Sequence, residues 1–325
     1  MEKILTSLQR YIKKRGNPLN LMGYFSVLKK IKDKLNNIFI LIILLLVIIL
    51  LSIDSSVYAS DIRLVKGYAS AYAVTGKENG LEGSIKNPAT GIKNVHRKVL
   101  VNLNQSYAMG IYDGLLGFGY KNNDTLFMSV LLPFTTIGNM DKNEVIDGIP
   151  TTTGQYASLH TNPQVSVATR IHDRILIGSS VIGLYDRISD DVGKGISVDT
   201  GVLLTGGVLN IGVSVQNIGY RKYWSTGKRD KKPVQVNTGV SIRPIRNLEF
   251  LSDMSIIKEK MIKNIALSYD LSSYINLTLG IRDVGMSNQF RAGSSMNINS
   301  LSMHYSYGHH VALGDSHKLG MTVGI

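Results

Sequence analysis

The sequence predicts an all-β fold, an antiparallel transmembrane β-barrel of about 14 strands preceded by a signal peptide and a small N-terminal hatch. Three observations support this prediction. Apolar and small polar residues alternate from residue 98 onward. Most alternating stretches are about nine to eleven residues long, the length that crosses a membrane at a tilt near 45°. Short connections alternate along the chain with longer ones, as in outer-membrane barrels.

The composition excludes several classes of protein. The chain of 325 residues has no Cys, so disulfide scaffolds, zinc–cysteine sites and thiol nucleophiles are absent. Only 18% of the residues are charged and 44% are hydrophobic, which is too apolar for a disordered chain. The 32 Gly and 16 Tyr fit a chain of long alternating strands better than a helical bundle.

The first 59 residues have the pattern of an export signal. They contain nine basic and three acidic residues, hence +6 of the formal charge of +13. The apolar run Ile38–Leu51 follows this basic region, and Val57–Ala59 forms a small-x-small cleavage pattern before Ser60. We therefore predict a cleaved signal peptide over 1–59, with an uncleaved anchor as the alternative and with Met22 as an alternative start. Because nearly half of the net basic charge lies here, nucleic acid is not an expected partner.

The mature chain divides into a predicted hatch at 60–98 and a barrel at 99–325. In the first strand Val99, Val101 and Leu103 share one face, while Asn102 and Asn104 share the other. The polar faces are small and uncharged, which favours a barrel interior over the solvent face of a soluble sandwich, the main alternative. The predicted strands lie near 99–106, 111–120, 124–132, 163–172, 175–185, 195–205, 208–217, 233–243, 247–257, 263–271, 274–283, 289–298, 301–309 and 317–325.

The longer connections are predicted on one side of the barrel. They are Pro133–Asn162, Asp186–Lys194 and Ile218–Lys232. Next to the last of these, Tyr220, Tyr223 and Trp224 form an aromatic cluster. We predict that these rings lie at the membrane interface, where amphipathic aromatic side chains meet lipid headgroups. The basic loop Lys228–Lys232 is either solvated or in contact with anionic headgroups.

The sequence offers little enzyme chemistry. Ser302 and His304 lie two apart on one strand face, the minimum for an exterior Ser–His pair, but an interior or interfacial histidine is the preferred interpretation. His309 and His310 are adjacent and point to opposite faces of a strand, which disfavours a shared metal. We predict no catalytic, metal or cofactor site.

Four short segments follow one another along the mature chain. They are Asn87-Pro88-Ala89-Thr90, Gly212–Gly219, Pro233–Gly239 and Leu313–Gly320. Together, over about residues 66–325, they resemble the PorV/PorQ family, relatives of FadL-type outer-membrane barrels. The first is similar to the family's N-P-A-G segment, with Thr90 at the usual Gly.

The resemblance implies a fourteen-stranded barrel whose N-terminal segment folds inward as a hatch, with Asn87, Pro88, Ala89 and Thr90 as gate candidates. FadL-type members pass hydrophobic small molecules, which makes a conduit in the outer membrane of a diderm bacterium the first hypothesis. PorV-like members bind partners of a secretion system, so the second hypothesis is a scaffold whose loop Pro133–Asn162 contacts secreted or surface proteins. The chain ends in Ile325, whereas outer-membrane barrels usually end in an aromatic residue.

Overall fold

The structure, a computed structural model, describes residues 64–77, 80–91, 97–106, 110–122, 125–285, 289–310 and 314–325. The predicted signal peptide at 1–59 lies outside these residues. One short helix, α1 (Val65–Ala69), and two 3-10 turns, Gly83–Ile85 and Pro88–Gly91, precede the strands. Within the described residues, no helix has the length and apolar character that crossing a membrane requires.

Sixteen strands follow in the described part of the chain. They are β1 (Arg97–Ser106), β2 (Ile111–Asn122), β3 (Leu126–Ile146), β4 (Ile149–Thr161), β5 (Gln164–His172), β6 (Ile175–Ile188), β7 (Asp191–Thr205), β8 (Leu209–Trp224), β9 (Arg229–Asp230), β10 (Gln235–Ile245), β11 (Leu248–Ile257), β12 (Lys260–Asp270), β13 (Ile275–Arg282), β14 (Gln289–Ile298), β15 (Leu301–His310) and β16 (Gly314–Gly324).

The sheet closes on itself because β1 pairs antiparallel with both β2 and β16, and β8 pairs antiparallel with β10. Strands β4 and β5 are two parts of one wall strand, since both pair with β3 and with β6. They are separated at Pro163, which has no backbone N–H to donate. The short β9 pairs with β8 only. The wall therefore has 14 strands, and the predicted closed antiparallel barrel is confirmed.

The polarity of the two faces of the wall is the reverse of that in a soluble protein: the inner face is polar and the outer face is apolar. In β1 the side chains of Asn102 and Asn104 are buried inside, whereas Leu103 points outward and is 60% exposed. Other strands repeat this pattern. Buried inward residues include Ser129, Ser166, Ser180, Ser214, Asn237 and Ser268, and exposed outward residues include Val130, Val167, Val181, Val213, Leu279 and Leu319. An apolar outer band around a polar interior is the arrangement of a barrel that faces lipid, and it excludes the soluble sandwich.

The two ends of the barrel differ. At one end, the turn end, the connections are short: 173–174, 206–208, 246–247, 271–274 and 299–300. At the other, the loop end, the strands project beyond the apolar band. The predicted loop Pro133–Asn162 is wrong, because β3 and β4 continue there as a β-hairpin. The predicted loop Asp186–Lys194 is also wrong, since β6 and β7 leave only 189–190 between them, and β8 continues through 218–224 of the third predicted loop. Its turn is Asp147-Gly148, both with positive φ, as a tight hairpin requires. We call residues 138–158 the arm.

Residues 64–77 and 80–91, called the lumenal segment, pack against the inner face of the wall. Their apolar side chains meet a patch of inward leucines on β1 to β7, where the interior is not polar. The cluster consists of Leu64, Tyr68, Tyr72, Leu81, Ile85 and Ala89 from the segment and Leu100, Leu115, Phe127, Leu131, Ala168, Leu176 and Leu203 from the wall. The barrel core is therefore the contact between this segment and the wall.

Candidate functional site

Glycines in the wall allow the lumenal segment to lie directly on the strands. A Cβ atom added at Gly178 would lie 2.5 Å from the Pro88 carbonyl carbon, and one added at Gly239 would lie 2.7 Å from the Gly76 nitrogen. One added at Gly212 would be closer still to the backbone of Thr75, against its carbonyl oxygen. Backbone lies on backbone at these points, so any side chain would force the segment away.

Carboxylates of the wall hold the first half of the segment. Asp253 on β11 is buried, and its Oδ2 accepts hydrogen bonds from the backbone N–H groups of Val74 and Thr75 at 3.2 and 3.0 Å and from the Thr75 hydroxyl at 2.5 Å. Nearer the turn end, Lys77 Nζ lies 2.7 Å from Glu249 Oε2. These contacts tie one stretch of the segment to β11, and further hydrogen bonds attach its backbone carbonyls to β5, β8 and β15.

The predicted gate residues Asn87, Pro88, Ala89 and Thr90 are all buried. Asn87 Nδ2 donates to the Thr75 carbonyl at 2.9 Å and to the Val202 carbonyl at 3.2 Å. Its Oδ1 accepts from the Ala89 N–H at 3.1 Å, and Thr90 Oγ1 donates to the Asn87 carbonyl at 2.8 Å. Asn87 thus joins the two halves of the segment to β7. Its role in gating remains a prediction.

A cavity of about 710 Å³ lies between the segment and the loop end. Ile85 of the segment contributes to its floor, and Ile182, Leu184, Tyr220 and Ile257 supply further apolar surface. Polar side chains converge on it from several strands, among them His160, Asn162, Gln164, Asp199 and Gln216. The lining is mixed, because Lys232, Lys258, Glu259 and Lys260 also border the cavity, and its volume is within the range of small-molecule sites.

A charged network borders the cavity beyond the apolar band. Asp186 accepts hydrogen bonds from Lys222 and is paired with His160. Lys222 Nζ also lies 3.1 Å from Asp230, which accepts a hydrogen bond from the Trp224 indole at 2.7 Å. The hydrogen bonds from Trp224 and Lys222 hold the pKa of Asp230 below its ordinary value. The inward cation at this height is therefore compensated by two carboxylates.

The predicted aromatic cluster divides between the two faces. Tyr220 is 6% exposed and lines the cavity, where Lys232 Nζ lies 5.1 Å from the centre of its ring. Tyr223 points outward and is 49% exposed, and Trp224 is half-buried beside Lys222. Tyr220 therefore lies inside rather than at the outer face. Trp224 is on the same strand face as Tyr220 and Lys222, and the interface role of Tyr223 remains a prediction.

The histidines do not assemble the exterior Ser–His pair considered from the sequence. His304 is buried and faces inward, and its Nδ1 lies 2.9 Å from Ser295 Oγ on the neighbouring strand. His309 is exposed and its Nδ1 lies 2.8 Å from Asp315. Among the residues that the structure describes, no three His, Asp or Glu side chains are grouped as metal ligands would be.

Comparison with solved structures finds a similar barrel fold in a FadL homologue and in two forms of the transporter TodX. A Pseudomonas aeruginosa FadL homologue is 8% identical with a TM-score of 0.57, over 83% of this chain and 100% of that one. The Pseudomonas putida toluene transporter TodX is 10% identical with a TM-score of 0.54, over 81% and 98%. A deltaS2S3 mutant of the TodX monoaromatic hydrocarbon channel is 9% identical with a TM-score of 0.55, over 80% and 97%.

At the level of sequence, no protein-family model and no curated protein matches the chain. The similarity to solved structures therefore concerns the fold, a barrel like those of bacterial outer-membrane channels. The finer resemblance to the PorV/PorQ family remains a prediction. The chain has the barrel fold that is also found in FadL-type transporters of hydrophobic compounds.

Proposed function

We propose that this protein is an outer-membrane channel for hydrophobic small molecules and that the lumenal segment acts as its hatch. The observation that carries the proposal is the cavity at the loop end, whose floor includes Ile85 of that segment. In outer-membrane barrels the short turns face the periplasm and the longer loops face outward. A solute that enters from outside would therefore reach the cavity first and the segment next.

The segment takes no part in the strand pairing of the wall. In the described residues it is attached by hydrogen bonds, by the ion pair Lys77–Glu249 and by the apolar core that it shares with the wall. The wall beneath it is already closed by strand pairing, so displacing the segment would not break the barrel. The shared fold with a toluene transporter supports a hydrophobic solute. The proposal includes export through a cleaved signal peptide at 1–59. It does not include a catalytic activity.

The proposal is tested by expressing the chain in the outer membrane of a Gram-negative host and measuring entry of a hydrophobic dye that fluoresces in inner-membrane lipid. Cells with the protein should take up the dye faster than cells without it. Asn87→Ala should increase the rate further, because it removes the hydrogen bonds to Thr75 and Val202. Entry of a hydrophilic solute of similar size is the control. No difference in dye entry between cells with and without the protein would contradict the proposal.

The arm favours a second candidate, a scaffold for secreted or surface proteins. Its tip exposes Val145 (72%) and Ile149 (66%), an unusual concentration of apolar side chains on a projecting hairpin. The scaffold hypothesis predicts that exported proteins co-purify with the barrel and are lost with Val145→Ser/Ile149→Ser, while dye entry is absent throughout. The channel hypothesis predicts unchanged dye entry in that variant.

A further inference from the structure

We propose that the outer surface of β6 to β9 at the loop end binds the phosphate-bearing headgroup of a lipid in the surrounding membrane. The site goes beyond the proposed channel and requires only that the barrel lies in a bilayer. It rests on a row of side chains that strand pairing brings together from four separate parts of the chain, and on the position of that row above the apolar band.

The row alternates aromatic rings and cations. Tyr185 on β6 pairs with Lys194 on β7, Lys194 pairs with Tyr223 on β8, and Tyr223 pairs with Arg229 on β9. Directly opposed residues have Cβ atoms roughly 5 Å apart, so the row extends about 15 Å across the wall. The Arg229 guanidinium lies 5.3 Å from the centre of the Tyr223 ring. This stacking fixes one cation beside one amphipathic ring.

The row lies where headgroups are expected. Toward the turn end on β7 the outward side chains are Ile196, Val198, Thr200, Val202 and Leu204. This stretch of nine residues matches the thickness of a hydrocarbon core for a tilted strand. Lys194 is the next outward residue after it. Lipid chains that contact the apolar stretch would therefore place their headgroups against the row.

Two arginines enlarge the positive surface. Arg221 is opposite Ile196, one outward position below the row, and Arg187 is opposite Val192, one position above it. Lys194, Arg221 and Arg229 are exposed, and within the described residues no carboxylate lies within 4.0 Å of their charged groups. The inward Lys222 at the same height has two carboxylate partners. The uncompensated charge is thus on the lipid side.

Phosphate is the group that matches this surface. Arginine donates in a planar fork that fits phosphate oxygens, and a phosphomonoester carries up to two negative charges with three acceptor oxygens. The adjoining apolar stretch would hold the acyl chains, which a free phosphate ion lacks. Each cation near a membrane surface typically improves binding to anionic lipid by about fivefold.

The experiment is native mass spectrometry of the purified full chain in detergent, titrated with phosphatidic acid or with phosphatidylcholine. The wild type should retain phosphatidic acid and retain phosphatidylcholine far less. Lys194→Gln/Arg229→Gln should weaken phosphatidic acid binding by roughly thirtyfold and Arg221→Gln by about fivefold. These side chains are exposed, and the heat-dependent gel mobility of the folded barrel verifies that each variant is folded.

The matched control removes the same charge from the other end. Arg97 and Arg174 are exposed at the turn end, and Arg97 lies 6.0 Å from the ring centre of Tyr120, a comparable pair. Arg97→Gln/Arg174→Gln should leave binding nearly unchanged. An equal loss in this control, no loss in Lys194→Gln/Arg229→Gln, or equal retention of phosphatidylcholine would overturn the proposal. Displacement of the lipid by millimolar inorganic phosphate would also overturn it, because it would indicate a site for free anions.

Discussion

Asp253 on the barrel wall accepts a hydrogen bond from the Thr75 hydroxyl at 2.5 Å and another from the Thr75 backbone N–H at 3.0 Å. Both residues are buried, and they are 178 positions apart in the chain. One carboxylate oxygen of Asp253 therefore holds both the backbone and the side chain of Thr75, and it links the lumenal segment directly to the wall.

Asp253→Ala should loosen the segment and accelerate dye entry. The variant leaves the donors of Val74 and Thr75 without their acceptor, and each unsatisfied buried group costs about 1–3 kcal/mol. Amide hydrogen exchange at 74–75 should accelerate by at least about tenfold. Asp113→Ala is the matched control, since Asp113 is equally buried but accepts hydrogen bonds from the wall residues Ser106 and Thr135. Equal effects of the two substitutions would contradict the conclusion that Asp253 holds the lumenal segment against the wall.

Gly178→Ala should displace the turn Pro88–Gly91 from the wall. The new methyl group would meet backbone atoms of Pro88 and Ala89, which cannot rotate away, and overpacking of this kind costs about 1–3 kcal/mol. Trypsin cleavage after Lys86, followed by N-terminal sequencing, measures the exposure of the segment. Gly154→Ala on the arm, where no atom lies within 4 Å of the added Cβ, should leave cleavage unchanged. Protection of Lys86 in both variants would show that the segment does not rest on Gly178.

Leu279→Arg should destabilise the barrel in lipid because the side chain is exposed on the apolar outer face. An arginine near the bilayer midplane costs about 2–4 kcal/mol. The measurement is the free energy of unfolding from lipid vesicles, with Leu279→Met as the control that keeps the position apolar. A cost for arginine no larger than that for methionine would mean that this face does not contact lipid.

The emission of Trp224, the one tryptophan of the chain, should report the protonation of Asp230. Hydrogen bonds from Trp224 and Lys222 lower the pKa of this carboxyl below 3.8. The stabilisation from the carboxylate is therefore present above the ordinary pKa and lost as the pH falls through the lower, folded value. We expect an emission change with its midpoint below pH 3.8, absent in Asp230→Asn and shifted upward in Lys222→Gln. A wild-type midpoint at or above pH 3.8 would show that the hydrogen bonds from Trp224 and Lys222 do not stabilise the Asp230 carboxylate.

Much of the wall could be predicted from the sequence because lipid outside and polar groups inside impose a strict two-residue period. The arm could not be predicted in the same way. Both faces of a two-stranded ribbon outside the membrane are wet, so Asp141–Glu144 and Thr151–Thr153 show no alternation. The pair Asp147-Gly148 between Ile146 and Ile149 was the available signal, since this dipeptide favours tight hairpins.

The aromatic cluster shows a second limit of what the sequence alone could predict. Tyr220 and Tyr223 are close in sequence, but an even and an odd position on one strand point to opposite faces, so parity indicated that one ring lies inside. The row of aromatic rings and cations on the outer surface could not be predicted from parity. Lys194 and Tyr223 are neighbours only through the register of β7 and β8, which no local pattern reveals. The inward leucines such as Leu115 and Leu203 likewise make sense only once the lumenal segment is seen against them.

The most direct test of the channel account is to clamp the segment to the wall. Lys77→Cys/Glu249→Cys introduces the only two thiols of the chain at side chains that lie 2.7 Å apart near the turn end. A short, reducible thiol cross-linker should join them in the outer membrane of living cells. The account predicts that the clamp stops entry of the hydrophobic dye and that reduction restores it. Equal dye entry through clamped and unclamped barrels would contradict the proposal that the segment is the gate.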